Sequence, residues 1–189
     1  MRKALIPAAI LTLSLAACGG NETADDTMAA DDAMATEDAA PAGGMTAIAT
    51  LMTADGTNVG TATATGSIGG ITIDIEGMNM PEGMHGVHVH ETGTCEGDFS
   101  SAGGHWNPDG ATHGLESGEN QHAGDMPNLE VAADGSGTLS YMLAPSATFE
   151  GLMDGDGSAF IVHAGQDDQT TDPSGDSGDR IACGVFQAS

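Results

Sequence analysis

The sequence predicts an all-β fold in which seven or eight short strands form an antiparallel sandwich or barrel. Two observations support this prediction. From Met45 onward, apolar and polar residues alternate with a period of two, which is typical of strands that bury one face. The 189 residues also include 29 glycines and 7 prolines but only six aromatic residues, a composition that favours strands joined by turns over a large helical core.

Seven stretches carry the strand pattern. The clearest turn is the Asp-Gly-Ser-Gly sequence at residues 134–137, which separates two apolar runs and predicts a hairpin. Two long stretches, 92–127 and 164–179, interrupt the pattern and are rich in glycine and aspartate; loops of that length in a compact domain are usually functional or disordered. The predicted strands are 46–52, 71–76, 86–91, the residues around Val131, 139–142, 159–163 and 181–186.

Residues 1–17 are predicted to be a signal peptide that is removed. A basic start is followed by an apolar run, Ala4 to Leu15, that is too short to be a stable membrane span. The small residues before Cys18 resemble a bacterial lipobox, in which the cysteine is acylated and becomes the mature N-terminus. An ordinary signal peptide with an incidental cysteine is the alternative. We therefore expect a lipoprotein at the periplasmic face of a membrane in the cell envelope.

Residues 18–44 are predicted to form the lipidated N-terminus and a disordered acidic tether. Seven acids and almost no large apolar side chains cannot offset the entropy of ordering such a segment. Gly19 does not match the acidic retention signal for the inner membrane known in enterobacteria, which favours the outer membrane. Met28 and Met34 in this tether are either incidental or a transient site for copper(I).

The charge of the chain excludes one class of partner. The sequence holds 28 acidic residues but only three bases, two of which lie in the signal peptide. The mature chain keeps a single arginine, Arg180, and cannot neutralise a phosphate backbone. Nucleic acid is therefore excluded as a partner.

All seven histidines lie between residues 85 and 163, in or beside the two long loops. Strand alternation places His88 and His90 on one face of their strand and the intervening valines on the other. His163 likewise faces away from Phe160 and Val162. If the valines and Phe160 line the core, the three imidazoles project outward, where a long loop can cover them. Clustered imidazoles suit zinc and copper, so we expect a metal site here.

Four segments closely resemble the copper/zinc superoxide dismutases. The likeness extends over roughly residues 45–187, and the stretch between Cys95 and His105 is similar to the bacterial periplasmic branch. The resemblance implies that residues 45–189 form an eight-stranded Greek-key barrel that binds one copper and one zinc and dismutates superoxide to dioxygen and hydrogen peroxide. The segments are His85-Gly86-Val87-His88-Val89-His90-Glu91, Ala102-Gly103-Gly104-His105-Trp106-Asn107-Pro108, His122-Ala123-Gly124-Asp125 and Arg180-Ile181-Ala182-Cys183-Gly184-Val185.

The resemblance also implies which residues hold the metals. His105 would bridge both ions as an imidazolate. A set of three nitrogens and one carboxylate suits zinc, and an all-imidazole set suits copper. Asp167 would accept N–H bonds from His88 and His113, whereas His85 would bond to backbone and bind no metal. The implied copper ligands are His88, His90, His105 and His163, and the implied zinc ligands are His105, His113, His122 and Asp125.

The cysteines and the single arginine receive roles from the same resemblance. With Cys18 lipidated, Cys95 and Cys183 occupy the positions of the family's intrasubunit disulfide. Arg180 would dock superoxide beside copper and act together with His105 in catalysis. A salt bridge to a nearby acid is the alternative for Arg180.

A hypothesis from another class is a non-catalytic envelope lipoprotein that buffers copper or zinc. A buffer needs neither a shared imidazolate nor an anion-binding arginine, so the matched positions favour the enzyme. Monomer and homodimer are both compatible with the sequence. Met78, Met80 and Met84 near His85 are either packing residues or a copper(I) loading route. Family members commonly carry lysines near the substrate channel; this chain has none, so the field there is expected to repel anions.

Overall fold

The computed structural model of the protein describes residues 44–118 and 120–189. The predicted signal peptide, Cys18 and the tether up to residue 43 lie outside these residues. No helix among the described residues is long and apolar enough to cross a membrane.

The described chain is mostly β-structure, with strands that begin where the alternating pattern begins. One short α-helix, α1 (Phe149–Leu152), and two 3-10 helices, Ser100–Ala102 and Leu115–Ser117, interrupt it. The side chain of Thr148 caps α1 by accepting the N–H of Gly151 at 3.1 Å. The strands are β1 (Met45–Met52), β2 (Asn58–Ser67), β3 (Gly70–Gly77), β4 (Gly83–His85), β5 (Val87–His90), β6 (Leu129–Val131), β7 (Gly137–Met142), β8 (Ala159–His163), β9 (Arg180–Val185) and β10 (Gln187–Ala188).

Eight of these strands form one curled sheet in which the described pairings are antiparallel. The order is β5-β8-β9-β1-β2-β3-β7, and β10 pairs with β1 beside β9. Strands β3 and β7 pair although three other strands separate them in the sequence, and so do β5 and β8 with two strands between them. The predicted all-β antiparallel fold is thus confirmed. Strands β4 and β6 form a separate two-stranded sheet.

Two details of the fold differ from the sequence prediction. Strand β2 was missed because its buried positions are small residues, such as Ala62 and Ala64, which do not stand out as an apolar alternation. The strand predicted at 86–91 is present as β5, whereas β4, which ends just before it at His85, is a separate strand that the alternation does not indicate. His85 therefore belongs to the small sheet and is separated from the other histidines of that segment.

The core lies on the inner face of the sheet. Ile71, Ile73 and Ile75 point inward from β3 and are almost completely buried, while Val87 and Val89 do so from β5. Each such side chain contributes roughly 1.5–3 kcal/mol when it is fully buried. Packing of this face fixes the phase of β5, so that the alternate residues of the strand must lie on the opposite face, where the histidines are found.

Candidate metal centre

The structure brings seven of the predicted residues into two buried groups that share His105. Within each group the candidate ligand atoms all lie within 4.8 Å of one another. The first group combines His105 with the histidines of β5 and β8, and the second combines it with residues of the long loop that follows β5. The groups are His88, His90, His105 and His163, and His105, His113, His122 and Asp125.

Strand pairing explains how the first group is assembled. His88 pairs with Ile161 and His90 with Ala159, which sets β5 beside β8. A register shift between Val162 and His163 then re-aims the end of β8. The long loop that follows β5 is attached back to β5 by two isolated antiparallel bridges, one from His90 to His105 and one from His88 to Asp125.

Five buried ring nitrogens in this cluster have no hydrogen-bond partner. Four of them come from the first group, one from each histidine, and the fifth is Nδ1 of His122 in the second group. A buried polar atom without a partner is costly, so the four atoms of the first group fit a metal ion that would use their lone pairs. The atoms are His88 Nδ1, His90 Nε2, His105 Nε2, His163 Nε2 and His122 Nδ1.

The second group is arranged around the carboxylate of Asp125. Its Oδ1 atom lies 2.8 Å from Nδ1 of His105, 3.1 Å from Nδ1 of His113 and 3.2 Å from Nδ1 of His122. Its Oδ2 atom accepts the backbone N–H of Gly114 at 2.7 Å, which fixes the orientation of the carboxylate. Three nitrogens and one carboxylate oxygen facing one point form a set that zinc accepts.

The ring nitrogens that face away from the cluster are also engaged, which fixes each ring in place. Nε2 of His88 donates to Oδ2 of Asp167 at 2.6 Å, and Nε2 of His113 donates to Oδ1 of the same carboxylate at 3.0 Å. Nδ1 of His90 donates to the carbonyl of Gly103 at 3.1 Å, and Nδ1 of His163 donates to that of Gly178 at 3.0 Å. These bonds leave the opposite nitrogen of each ring directed into its group.

Asp167 itself is held by Asn128, a residue that the sequence analysis did not single out. The side-chain Oδ1 of Asn128 accepts the backbone N–H of Asp167 at 2.8 Å, and its Nδ2 donates to the backbone carbonyl of Asp167 at 2.9 Å. Gly175 packs against the carboxylate so closely that a Cβ at this position would overlap it. Position 175 also has φ +62°, a backbone conformation that favours glycine.

Burial and hydrogen bonding set the proton affinity of the metal-free rings. Burial lowers the pKa of His88 to about 3 and that of His163 to about 4. For His113, burial acts in the same direction but is outweighed by the hydrogen bonds to Asp125 and Asp167, which raise its pKa to about 9. The two carboxylates are buried as well, yet the bonds that they accept from histidines hold their pKa values well below the usual range.

Arg180 lies at the start of β9, directly opposite His163. Its guanidinium donates to two backbone carbonyls, to that of Phe99 at 2.5 Å and to that of Gly103 at 2.6 Å. Gly103 thus accepts from both Arg180 and His90, which ties the arginine to the first group. Among the described residues no carboxylate lies within 4.0 Å of the guanidinium, although Asp98 and Asp179 line the same surface cavity of about 560 Å³.

The other predicted residues take the following places. His85 is buried, with Nδ1 2.7 Å from the carbonyl oxygen of His163 and Nε2 2.9 Å from that of Pro81. It therefore contacts the backbone of the first group and is not part of either group. Cys95 and Cys183 form the predicted disulfide, which joins the start of the long loop to β9. Met80 is buried in the core, whereas Met78 and Met84 are partly exposed.

Comparison with known proteins identifies the family. The family model described as copper/zinc superoxide dismutase (SODC) matches residues 58–186. The superoxide dismutase-like protein YojM of Bacillus subtilis is 44% identical over 124 residues, which cover 62% of this chain and 63% of that protein's length. A copper–zinc superoxide dismutase of Caulobacter vibrioides is 38% identical over 149 residues, which cover 75% of this chain and 85% of the relative.

Comparison with solved structures points to the same family as the sequence comparisons. The crystal structure of the superoxide dismutase-like protein from Bacillus subtilis matches with a TM-score of 0.68 and 38% identity, covering 74% of this chain and 97% of that one. The copper/zinc superoxide dismutase from Brucella abortus matches with a TM-score of 0.62 and 30% identity, covering 75% and 99%. The chain belongs to the copper/zinc superoxide dismutase family. Membership of this family implies that the metals it binds are copper and zinc.

Proposed function

We propose that this chain is a superoxide dismutase that converts superoxide to dioxygen and hydrogen peroxide. In this proposal the first group of histidines holds copper and the second group holds zinc. The observation that carries it is the set of four buried ring nitrogens in the first group, one from each histidine, that have no protein partner. Copper, when bound, supplies a one-electron redox couple that suits a reaction between two superoxide anions, whereas zinc has no redox chemistry and serves structure.

His105 is proposed to be the bridge between the two ions. Its Nδ1 atom faces Asp125 at 2.8 Å in the zinc group, and its Nε2 atom faces the copper group without a protein partner. A ring that offers one nitrogen to each metal must lose both protons and become an imidazolate. Nε2 of His105 is also an atom that can hold a proton and pass it to the peroxide product, with the second proton taken from water.

Arg180 is proposed to dock the superoxide anion. Two of its N–H groups are occupied by the carbonyls of Phe99 and Gly103, which hold the planar guanidinium in one orientation. Its remaining donors are available for an anion, because no described carboxylate pairs with it. The shared carbonyl of Gly103 keeps this docking group beside His90.

We also propose that the mature protein begins at a lipidated Cys18 and protects the cell envelope from superoxide at the periplasmic face of the outer membrane. The proposal is supported by the basic start, the short apolar run and the small residues before Cys18. Replacing Cys18→Ser, or adding the lipoprotein signal peptidase inhibitor globomycin, should prevent maturation of the lipoprotein. A Cys18→Ser protein that still partitions with membranes would show that Cys18 is not the anchor.

One experiment separates the enzyme from a metal buffer. Copper content, zinc content and dismutase activity are measured on the same purified sample, before and after removal of the metals, and again after each metal is returned alone or together. The proposal expects activity to require copper and to reach its full value only with both metals. A protein that binds both ions stoichiometrically but shows no activity above that of an Arg180→Ala variant would be a buffer.

A further inference from the structure

One backbone carbonyl joins the arginine proposed to dock superoxide to a histidine of the first group. The carbonyl oxygen of Gly103 accepts Nη2–H of Arg180 at 2.6 Å and Nδ1–H of His90 at 3.1 Å. A hydrogen bond weakens steeply as its angle departs from linear, so both bonds depend on the direction of this carbonyl. Whatever orients the carbonyl of Gly103 therefore orients both side chains together.

The other end of the same peptide group is bound by Glu91. A planar trans peptide unit joins the carbonyl of Gly103 to the N–H of Gly104, and the two groups point in opposite directions. The side-chain Oε1 of Glu91 accepts this N–H at 3.1 Å. The carboxylate of Glu91 thus holds the peptide on the side opposite the two donors that its carbonyl serves.

Glu91 also holds Gly104 through the backbone. The N–H of Glu91 donates to the carbonyl of Gly104 at 3.1 Å, so that one residue satisfies both the donor and the acceptor of its partner. The next backbone bond runs from the N–H of Thr92 to the carbonyl of Ala102, also at 3.1 Å. The long loop therefore returns alongside the end of β5, and the peptide between residues 103 and 104 lies within this contact.

The side chain of Glu91 lies over this peptide because residue 103 is a glycine. Gly103 has φ +74°, a backbone conformation that favours glycine. A Cβ at this position would lie 2.7 Å from Oε1 and 2.8 Å from Cγ of Glu91. Any larger residue at position 103 would therefore push the carboxylate away from the N–H that it binds.

We propose that Glu91 is a positioning residue that sets the direction of the Gly103 carbonyl and thereby holds Arg180 and His90 in one fixed relation. The inference rests on the proposed function, because it concerns side chains proposed to dock superoxide and to hold copper. A carboxylate is a stronger acceptor than a neutral oxygen. Hydrogen bonds that are joined through one peptide also polarise each other, so the carboxylate strengthens the carbonyl of Gly103 as an acceptor for both donors.

Glu91 acts on Arg180 through the peptide and not through an ion pair. Among the described residues no carboxylate lies within 4.0 Å of the guanidinium, which leaves its remaining donors free for an anion. The other contact of the guanidinium, with the carbonyl of Phe99 at 2.5 Å, does not involve this peptide. Loss of the Glu91 side chain should therefore loosen one of the two contacts that hold Arg180, together with the described contact of His90 Nδ1.

The test compares Glu91→Ala and Glu91→Gln in the full chain, with Glu96→Gln as the matched control. Glutamine keeps an oxygen acceptor but removes the charge. Glu96 is a second exposed acid of the same loop, and its described hydrogen bonds are made by its backbone. The control therefore removes the same charge without removing an acceptor.

Hydrogen exchange is followed by NMR at three groups: the N–H of Gly104, Nδ1–H of His90 and the guanidinium of Arg180. Labelled arginine isolates the third signal, because Arg2 in the predicted signal peptide is the only other arginine of the sequence. The protein is measured without metal and again with copper(I) and zinc, ions that have no unpaired electrons. Dismutase activity is measured separately.

Glu91→Ala should speed exchange of the Gly104 N–H by about tenfold, because the bond to the carboxylate is lost. Exchange at His90 and Arg180 should become faster in the same variant. Glu91→Gln should speed exchange at Gly104 by only about threefold, since a neutral acceptor keeps about half of the bond. Glu96→Gln should match the parent at all three groups. In the active enzyme, kcat/KM should be lowest for Glu91→Ala, intermediate for Glu91→Gln and unchanged for the control.

Unchanged exchange of Gly104 in Glu91→Ala would overturn the proposal, because the carboxylate would then not hold the peptide. Faster exchange at Gly104 with unchanged signals of His90 and Arg180 would overturn it as well, since the orientation of the peptide would not reach them. Equal effects of Glu91→Gln and Glu96→Gln would assign the changes to net charge and contradict the proposal. A parent chain without dismutase activity would instead overturn the proposed function, and the exchange measurements would still decide the role of Glu91.

Discussion

Asn128 holds Asp167 by a pair of hydrogen bonds in which one side-chain amide satisfies both the N–H and the carbonyl of a single buried residue, at 2.8 and 2.9 Å. Asp167 in turn accepts from His88 of the first group and His113 of the second group. Asn128 follows Asp125 closely in the sequence, so this contact joins the loop of the second group to the loop that follows β8. The orientation of both groups thus depends on an amide that touches neither.

Replacing Asn128→Ala should destabilise the protein by about 1–3 kcal/mol, because two backbone polar groups of Asp167 lose their partners. Looser positioning of Asp167 should also weaken metal binding by about 10- to 100-fold. Chelator competition and thermal unfolding measure the two effects. Gln187→Ala, which removes an exposed amide at β10, is the control and should change neither. Unchanged metal affinity in Asn128→Ala would mean that Asp167 is positioned by other contacts.

Zinc binding should release a proton from His113. Its pKa of about 9 in the metal-free protein means that both ring nitrogens carry protons at neutral pH, and Nδ1 must lose its proton to bind the metal. Calorimetry in buffers of different ionisation enthalpy should detect about one proton from this residue at pH 7 and none above pH 10. Zinc uptake that releases no more protons at pH 7 than at pH 10 would contradict this assignment.

The stability of the metal-free protein should follow from the same pKa. The folded-state pKa of His113 is raised above its ordinary value of 6.5, so its stabilising contribution is complete below pH 6.5 and is lost as the pH rises through about 9. The lowered pKa values of His88 and His163 affect stability at acidic pH. Below pH 6.5 these rings bind protons in the unfolded chain but not in the folded one, so stability falls as the pH drops toward 4. Chemical unfolding of the metal-free protein across pH 4–10 should therefore show greatest stability near pH 6.5.

The disulfide should contribute about 4–5 kcal/mol in the chain-entropy model, since Cys95 and Cys183 are 88 residues apart. A reductant should lower the unfolding temperature of the intact chain to that of the double variant Cys95→Ser, Cys183→Ser. It should leave the double variant itself unchanged, which controls for effects of the reductant elsewhere. Equal stability of the intact chain with and without the disulfide would show that the long loop is held by its other contacts alone.

Salt should not slow this enzyme. The domain carries −20, or about −17 once two divalent ions and one imidazolate are counted, and Asp98 and Asp179 line the cavity of Arg180. Arg180 and copper attract the anion only within about a Debye length, roughly 10 Å at 0.1 M salt, so screening should mainly weaken repulsion. We expect kcat/KM to rise, or at least not to fall, from low to moderate NaCl.

Variants test the origin of this salt response. Arg180→Ala should lower kcat/KM by about tenfold or more and make the rise with salt steeper, since the attractive group is lost. Asp98→Asn should raise kcat/KM and flatten the rise, whereas Asp74→Asn on the outer face of β3 should do less. A steep fall of the wild-type rate with added NaCl would show that Arg180 and the metals dominate the field out to the channel mouth.

The sequence predicted the parts of the molecule that depend on strict spacing. Alternation on β5 and β8 requires His88, His90 and His163 to face away from the core, and the structure buries all three under loops. Strand β2 could not be found in the same way, because alanine and glycine at its inner positions carry too weak an apolar signal. Its place in the sheet is set by pairing with β1 and β3, and such pairing between strands is not encoded in the alternation within β2 itself.

Asn128 illustrates a second limit. An asparagine before a short apolar strand is an ordinary loop residue, and nothing in its local sequence shows that it faces residue 167 across the fold. The sequence also does not show which residues hold Arg180, because Phe99 and Gly103 accept its hydrogen bonds through their backbone carbonyls and not through their side chains. Spacing therefore identified the histidines, whereas the backbone contacts that orient them appear only in the folded chain.

The most direct test of a shared His105 is metal analysis of His105→Ala beside His122→Ala, with copper and zinc counted and the copper spectrum recorded for each purified variant. His105→Ala should disturb both sites, lowering zinc occupancy and changing the copper spectrum, because this ring offers one nitrogen to each group. His122→Ala should mainly lower zinc. A His105→Ala protein that keeps both metals at full occupancy, with an unchanged copper spectrum, would contradict the bridge.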